Sequence, residues 1–422
     1  MNFEMIDDYV KKLAHSSVEE RPSLAAQITQ WAAAEGVFPA SIARVYSGLA
    51  NGQLALMTIP AINLRGMTYD LARAVWQVAL THKAGPVIFE LAPSEMAAGD
   101  QTADEYAAIV LAAACREGYH GPVFLQGDHF HIDSSDSTPA IQQLCREAIS
   151  TGFYQIDIDA ATLIDHDAVT PKEVQTPNAK ISASLTNFIR SIQPEGIHVT
   201  IGSEIGEIGS NNTTPEDLLG FMEAYQAALS AGDMGLDKIS IQTGTRHGGI
   251  VQTDGSLAVM PLDLTLAKQL SALAKKEFGI AGLVQHGAST LTMQQLSQLP
   301  ENGVIEVHLA TQIQNIVFDH PEFPKDLLLK MRNQLSPNTK SAEGDSLRDE
   351  DNQSEIQKFY NARWTAWGTF KRELWEMPEP NKKMIQISLQ DWMVKLFTAL
   401  RVEGKLPLIQ SLYALDPEND GI

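Results

Sequence analysis

Phe124-Leu-Gln-Gly-Asp-His-Phe-His131 delivers an acid and two histidines where an apolar run breaks at Gly127. Such a strand end could bring together a metal ligand and an acid/base group, with Asp128 and His129 as the leading pair. Two further histidines end later apolar runs, and each is followed by glycine: His247-Gly248-Gly249 and His286-Gly287-Ala-Ser289. Glycine there lets a ligand approach the backbone closely. Three histidines converging from separate strands leave an open position on a divalent metal, the pattern of a catalytic zinc site. Asp157 and Glu207, also at strand ends, are candidates for a second cation or for orienting the histidines. A single histidine at a strand end is usually only a hydrogen-bonded polar residue, so the case rests on all three together. His131, Asp159, Glu204 and His308 fit an outer ring of support or ordinary satisfied polarity. His15, His82, His120, His166, His198 and His320 fall on helices, loops or strand starts and are expected to be structural.

The elements that would position these groups alternate regularly. Short apolar runs at Leu54–Asn63, Pro86–Ala92, Pro122–Phe130, Phe153–Asp159, His198–Glu207, Lys238–Thr243, Gly282–Gln285 and Val304–His308 read as strands, with amphipathic helices between them. Thr214-Pro215-Glu216-Asp217 opens one such helix with an N-cap, a first-turn proline and early acids. Eight strand–helix units predict an α/β fold, a closed (β/α)8 TIM barrel over residues 54–321. An open doubly wound sheet is the structural rival. Residues 1–53 are expected to be an N-terminal helical extension and 322–422 a C-terminal helical extension, with an acidic loop at 341–354.

Composition narrows the partners. Asp plus Glu outnumber Lys plus Arg by 52 to 31, a net charge of -21, which repels nucleic acid and anionic membranes. No apolar run approaches a membrane span, and the acidic N-terminus lacks a signal pattern. Cys115 and Cys145 have no paired spacing, which fits a reducing cytoplasm. A cytoplasmic location is therefore expected.

With the strand-end residues in place, residues 54 to 370 resemble the class II, metal-dependent fructose-1,6-bisphosphate aldolases. Asp128-His129 matches the family's Asp-His, His247-Gly248 its His-Gly, and His286-Gly-Ala-Ser289 its His-Gly-Gly-Ser. Gln155-Ile-Asp157 and Ile205-Gly-Glu207-Ile-Gly209 are similar to its Met-Ile-Asp and Glu-x-Glu-Leu-Gly segments. Lys358-Phe-Tyr-Asn-Ala-Arg363 resembles Lys-Tyr-Tyr-Asp-Pro-Arg of the longer subgroup. The resemblance implies Zn2+ on His129, His247 and His286, with Asp128 as the acid/base that takes the C4 hydroxyl proton. It implies cleavage of a phosphorylated sugar through a metal-stabilised enediolate. Gly248, Ser289 and Thr311, together with backbone amides such as that of Gly287, would cradle phosphate. Arg363 would reach a substrate phosphate across a dimer interface, so a homodimer or larger homo-oligomer is expected.

The departures bear on substrate. The family's Asn-x-Asp-Thr becomes His308-Leu-Ala-Thr311, which places a histidine where an asparagine contacts the enediolate. The lysine expected after the second zinc histidine is missing, and Arg246 is the candidate phosphate partner in its place. The default expectation is a lyase acting on fructose 1,6-bisphosphate, giving dihydroxyacetone phosphate and glyceraldehyde 3-phosphate. The alternatives are the same chemistry on another ketose, or a non-catalytic barrel partnering an active aldolase.

Overall fold

A computed structural model describes residues 3–206, 211–245, 250–252, 258–335 and 355–414. Glu207, Arg246, His247, Gly248 and the acidic stretch 341–354 lie outside the described residues. The strands are β1 (Val37–Pro39), β2 (Ile59–Asn63), β3 (Ile88–Leu91), β4 (Gly121–His131), β5 (Gln155–Asp159), β6 (Thr200–Ile205), β7 (Lys238–Ile241), β8 (Leu283–Gln285) and β9 (Val304–Leu309). From β2 to β9 each strand pairs in parallel with the next, and β9 returns to β2 through Ala61 opposite His308. The sheet is therefore a closed (β/α)8 barrel, as the eight alternating units predict. Six of these eight strands are buried at every residue, because helices cover the outside and side chains fill the inside.

Among the described residues, the three-residue β1 is the one strand that periodicity does not reveal. It pairs with the start of β4, Val37 opposite Gly121, on the edge that β4 offers before its pairing with β5 begins at Gln126. A short run ending in Pro39, between helices 21–34 and 43–50, carries too few residues to show a period of two.

Both extensions share the barrel's apolar core. Helix Ala103–Arg116 is buried on nearly every face, from Tyr106 through Cys115. A helix that is apolar all round needs cover on its outer side too. Helices Phe3–Ala14 and Arg21–Ala34 provide it through Ile6, Val10, Leu13, Leu24 and Ile28. At the other end of the chain, helix Glu379–Ala399 packs on Thr68–Thr81, where Lys382 meets the buried Asp70 at 3.2 Å. Helix Pro215–Ala228 starts as expected, with the Thr214 hydroxyl accepting from the Asp217 amide. No helix among the described residues is long and apolar enough to cross a membrane.

One irregularity shapes the barrel mouth. Between the pairs Gly127–Ile156 and Phe130–Ile158, β4 carries two residues, Asp128 and His129, opposite the single Asp157 of β5. This is a β-bulge, and His129 sits in it with φ of 43°, left-handed backbone for a non-glycine residue. Neighbours on a regular strand point to opposite faces. The extra residue lets Asp128 and His129 both turn into the barrel.

Candidate metal centre and acid–base site

The barrel interior is built from polar residues two apart on otherwise apolar strands. Gln126 and Asp128 on β4, Asp157 and Asp159 on β5, and Glu306 and His308 on β9 share the inward face. The deeper layer centres on Lys238, the first residue of β7 and fully buried. Its ammonium donates to Gln126 Oε1 at 2.7 Å, to Asp157 Oδ2 at 3.0 Å and to Glu306. The Tyr46 hydroxyl also donates to Glu306. Gly202 on β6 leaves the space for this arrangement, since a Cβ there would run into Asp157 Oδ1 and Lys238 Cε.

One ammonium serves two carboxylates, and they divide it unequally. Burial acts to raise Glu306, but Lys238 and His308 outweigh it and hold the carboxyl at about 2. Asp157 is pushed the other way, to about 6, by burial and by the charge on Glu306, which Lys238 offsets only in part.

Above this layer lies His308. Its Nε2 hydrogen-bonds Glu306 Oε1 at 2.7 Å, and its Nδ1 stands 2.9 Å from Glu90 Oε2 and 3.1 Å from Asp128 Oδ1. Burial disfavours its charge, but Glu90, Asp128 and Glu306 together keep the ring well above the usual histidine range. Glu90, fully buried on β3, is raised to about 7 chiefly by burial, with Asp128 adding to it.

At the mouth, His129 Nδ1 lies 3.2 Å from Asp159 Oδ2 and 3.5 Å from Glu204 Oε2. His286 Nε2 approaches the other Glu204 oxygen at 3.9 Å, and the His129 and His286 rings are 4.4 Å apart. Asp128 Oδ1 is 3.9 Å from His129 Nε2. The exposed His131 also contacts Asp159, at 3.2 Å. Asp159 is held well below the usual carboxylate range: burial opposes its charge, but His129 and His131 prevail. Between these groups is a cavity of about 10 Å3, bordered by His129, Asp157, Asp159, Glu204 and His286. That is room for one water molecule or one ion.

The donor set suits a metal. His129, Glu204 and His286 each place one ligand atom within 4.8 Å of the others. Ligands about 2.1 Å from a tetrahedral zinc lie roughly 3.4 Å apart, so slight closure around an ion gives a site with an open position.

The structure thus brings together Asp128, His129, Asp157, His286 and His308. Gly287, with φ of 64°, opens a helical turn over Ala288–Thr290 directly after His286, which places Ser289 beside the mouth. Thr311 begins the helix Thr311–Phe318 that follows β9. Arg363 is placed differently. It is 4% exposed, and its guanidinium is engaged by Asn315 in that same helix and by Asp319 just past its end. His198 and His320 bond Asp237 and Ser388, in keeping with structural roles.

Sequence reasoning assigned no role to Glu90, Gln126, Lys238 or Glu306, and left Glu204 undecided in favour of Glu207. A signal existed for Glu204: Glu204-Ile-Gly206 carries the same Glu–apolar–Gly run as Glu207-Ile-Gly209, and it falls at the end of β6 itself.

Residues 46–362 match the model of the family described as Fructose-bisphosphate aldolase class-II, and the chain belongs to that family. Its fold is shared with an aldolase, YdjI, from Escherichia coli K12 at 14% identity and a TM-score of 0.53, over 87% of this chain and 100% of that one. A fructose-bisphosphate aldolase from Campylobacter jejuni matches at 18% identity and a TM-score of 0.51, over 88% and 97% of the two chains. A fructuronate-tagaturonate epimerase, UxaE, from Cohnella laeviribosi matches at 13% identity and a TM-score of 0.57, over 82% of each. At these identities the likeness is one of fold.

Proposed function

We propose that the chain is a zinc-dependent aldehyde-lyase that cleaves and re-forms a carbon–carbon bond of a phosphorylated ketose. Fructose 1,6-bisphosphate, giving dihydroxyacetone phosphate and glyceraldehyde 3-phosphate, is the leading substrate. The observation that carries this reading is the ion-sized cavity between His129, Glu204 and His286, with the Asp128 carboxylate beside it. These three residues would hold the ion, joined by His247 as the family motif implies. A zinc ion bound there would polarise the ketose carbonyl.

The remaining work falls to side chains. Asp128 accepts the C4 hydroxyl proton during cleavage and returns it during condensation. Asp159 bonds His129 and fixes its ring. The backbone amides at Gly287 and at the start of helix Thr311–Phe318, with Ser289, Gly248 and Arg246, form the phosphate cradle. The protein works in the cytoplasm as a homodimer or larger homo-oligomer.

A second reading keeps the reaction and changes the ketose. It is favoured by Arg363, whose guanidinium binds Asp319 and Asn315, and by His308 in the family's asparagine position.

The test is retro-aldol cleavage of a panel of ketoses, both free and as mono- and bisphosphates, followed by aldehyde release. At least one is cleaved, EDTA abolishes the activity, and Zn2+ restores it. A fully metal-loaded protein that cleaves none of them overturns the proposal.

A further inference from the structure

His308 lies beside the acid/base carboxylate, yet the transfer of the C4 hydroxyl proton gives it no task of its own. Both of its ring nitrogens face carboxylates. Nε2 bonds Glu306 Oε1 at 2.7 Å and stands 3.6 Å from Asp157 Oδ2. Nδ1 has Glu90 Oε2 at 2.9 Å and Asp128 Oδ1 at 3.1 Å. The ring packs on His286, with 4.1 Å between centroids, and the residue is 5% exposed. Neither nitrogen is left for a substrate atom.

The two sides of the ring differ in kind. On one side Glu306 is a fixed anchor, held by the Lys238 ammonium, the Tyr46 hydroxyl and Gln126 Nε2, the last at 2.9 Å. All four of these residues are buried. On the other side Glu90 and Asp128 approach a single nitrogen, and their like charges oppose each other. Asp128 stays beside Glu90 because the ring stands between them.

We propose that His308 is a positioning residue: braced on Glu306, it holds the Asp128 carboxylate against repulsion from Glu90, in the orientation that meets the C4 hydroxyl. The inference rests on the acid/base role of Asp128 in the proposed cleavage and does not depend on which ketose is cleaved. It separates His308 from the asparagine of the family pattern, which contacts the enediolate directly. Here the side chain at that place acts through Asp128. Without the ring, Asp128 swings away from Glu90 and out of line with the hydroxyl.

The test is a double-mutant cycle on full-length, metal-loaded protein, with kcat, KM and metal content measured on each sample. His308→Leu lowers kcat by about 10²-fold, the order that a 1 Å misplacement costs, with KM and the bound ion little changed. In an Asp128→Asn background the same substitution lowers kcat no further, because no base is left to misplace. A residue that only supported the fold would multiply the two losses. His308→Gln, which keeps a polar side chain should leucine disturb folding, gives a smaller single loss and the same non-additivity; circular dichroism confirms that each variant is folded. Losses that multiply, normal turnover in a folded His308 variant, or a loss that follows missing metal overturns the proposal. A metal-loaded wild type that cleaves no ketose removes the lyase reading alone, and crystals of His308→Leu then decide the positioning. An Asp128 carboxylate turned away from Glu90 supports it, and one in the wild-type rotamer overturns it.

Discussion

Asp128→Asn lowers turnover of the best ketose by about 10²–10⁴-fold, the range a positioned acid/base group contributes. The amide has nearly the carboxylate's shape and keeps an oxygen 3.1 Å from the His308 ring, so the pocket is preserved. It cannot take a proton from a hydroxyl. The His129–Glu204–His286 set is untouched, and that ion stays bound. The measurement is kcat and KM with metal content determined on the same sample. KM moves little, because Asp128 acts on the proton rather than on the phosphate. Normal turnover in the metal-loaded variant removes the acid/base assignment. Loss of that ion would instead make Asp128 essential to metal binding.

Lys238→Met destabilises the fold by about 3–5 kcal/mol, the cost of breaking a buried ion pair by removing one partner. The methionine fills the same channel through the barrel, so the loss comes from Asp157 and Glu306, which become buried charges without their ammonium. The pH dependence follows with a definite sign. Glu306 is held at about 2, below its ordinary 4.5, so its pairing contributes stability above pH 4.5 that is lost as pH falls toward 2. The deficit of Lys238→Met is thus largest near neutrality and shrinks in acid, where protonation removes the unpaired charge. Adding Glu306→Gln to Lys238→Met recovers part of the loss. Denaturant unfolding at several pH values measures all three effects. An unchanged midpoint at pH 7 would show that the ammonium is not the keystone of this layer.

The barrel was legible because each of its eight strands is a separate apolar run with a helix-forming segment behind it. The mouth was legible where a polar residue follows such a run, as at Asp128, His129 and His286. The deeper layer was not, for a physical reason. In a closed parallel barrel both faces of a strand are buried, so polar and apolar residues do not sort by exposure. Glu306 in Val-Ile-Glu-Val-His and Lys238 at the head of β7 look like interruptions of a strand rather than parts of a site. The usable signal is spacing: Gln126 with Asp128, Asp157 with Asp159, and Glu306 with His308 are each two apart, which puts both members on one face. Arg363 shows the opposite limit. A motif gave its residue type, but only the fold shows that Asp319 and Asn315 engage it.

The left-handed backbone of His129 has a cost, of order 1–3 kcal/mol for a non-glycine residue. Glycine would adopt that conformation freely but would supply no ligand. On the proposed function, stability and metal ligation therefore make opposite demands on one position. A library selected for soluble expression or thermal resistance alone would enrich His129→Gly and return sturdier, inactive barrels, so selection at this residue has to be coupled to turnover. Grafting the site onto another barrel likewise requires the extra residue of β4 along with the side chains. A donor strand in regular register would point either Asp128 or His129 out of the barrel.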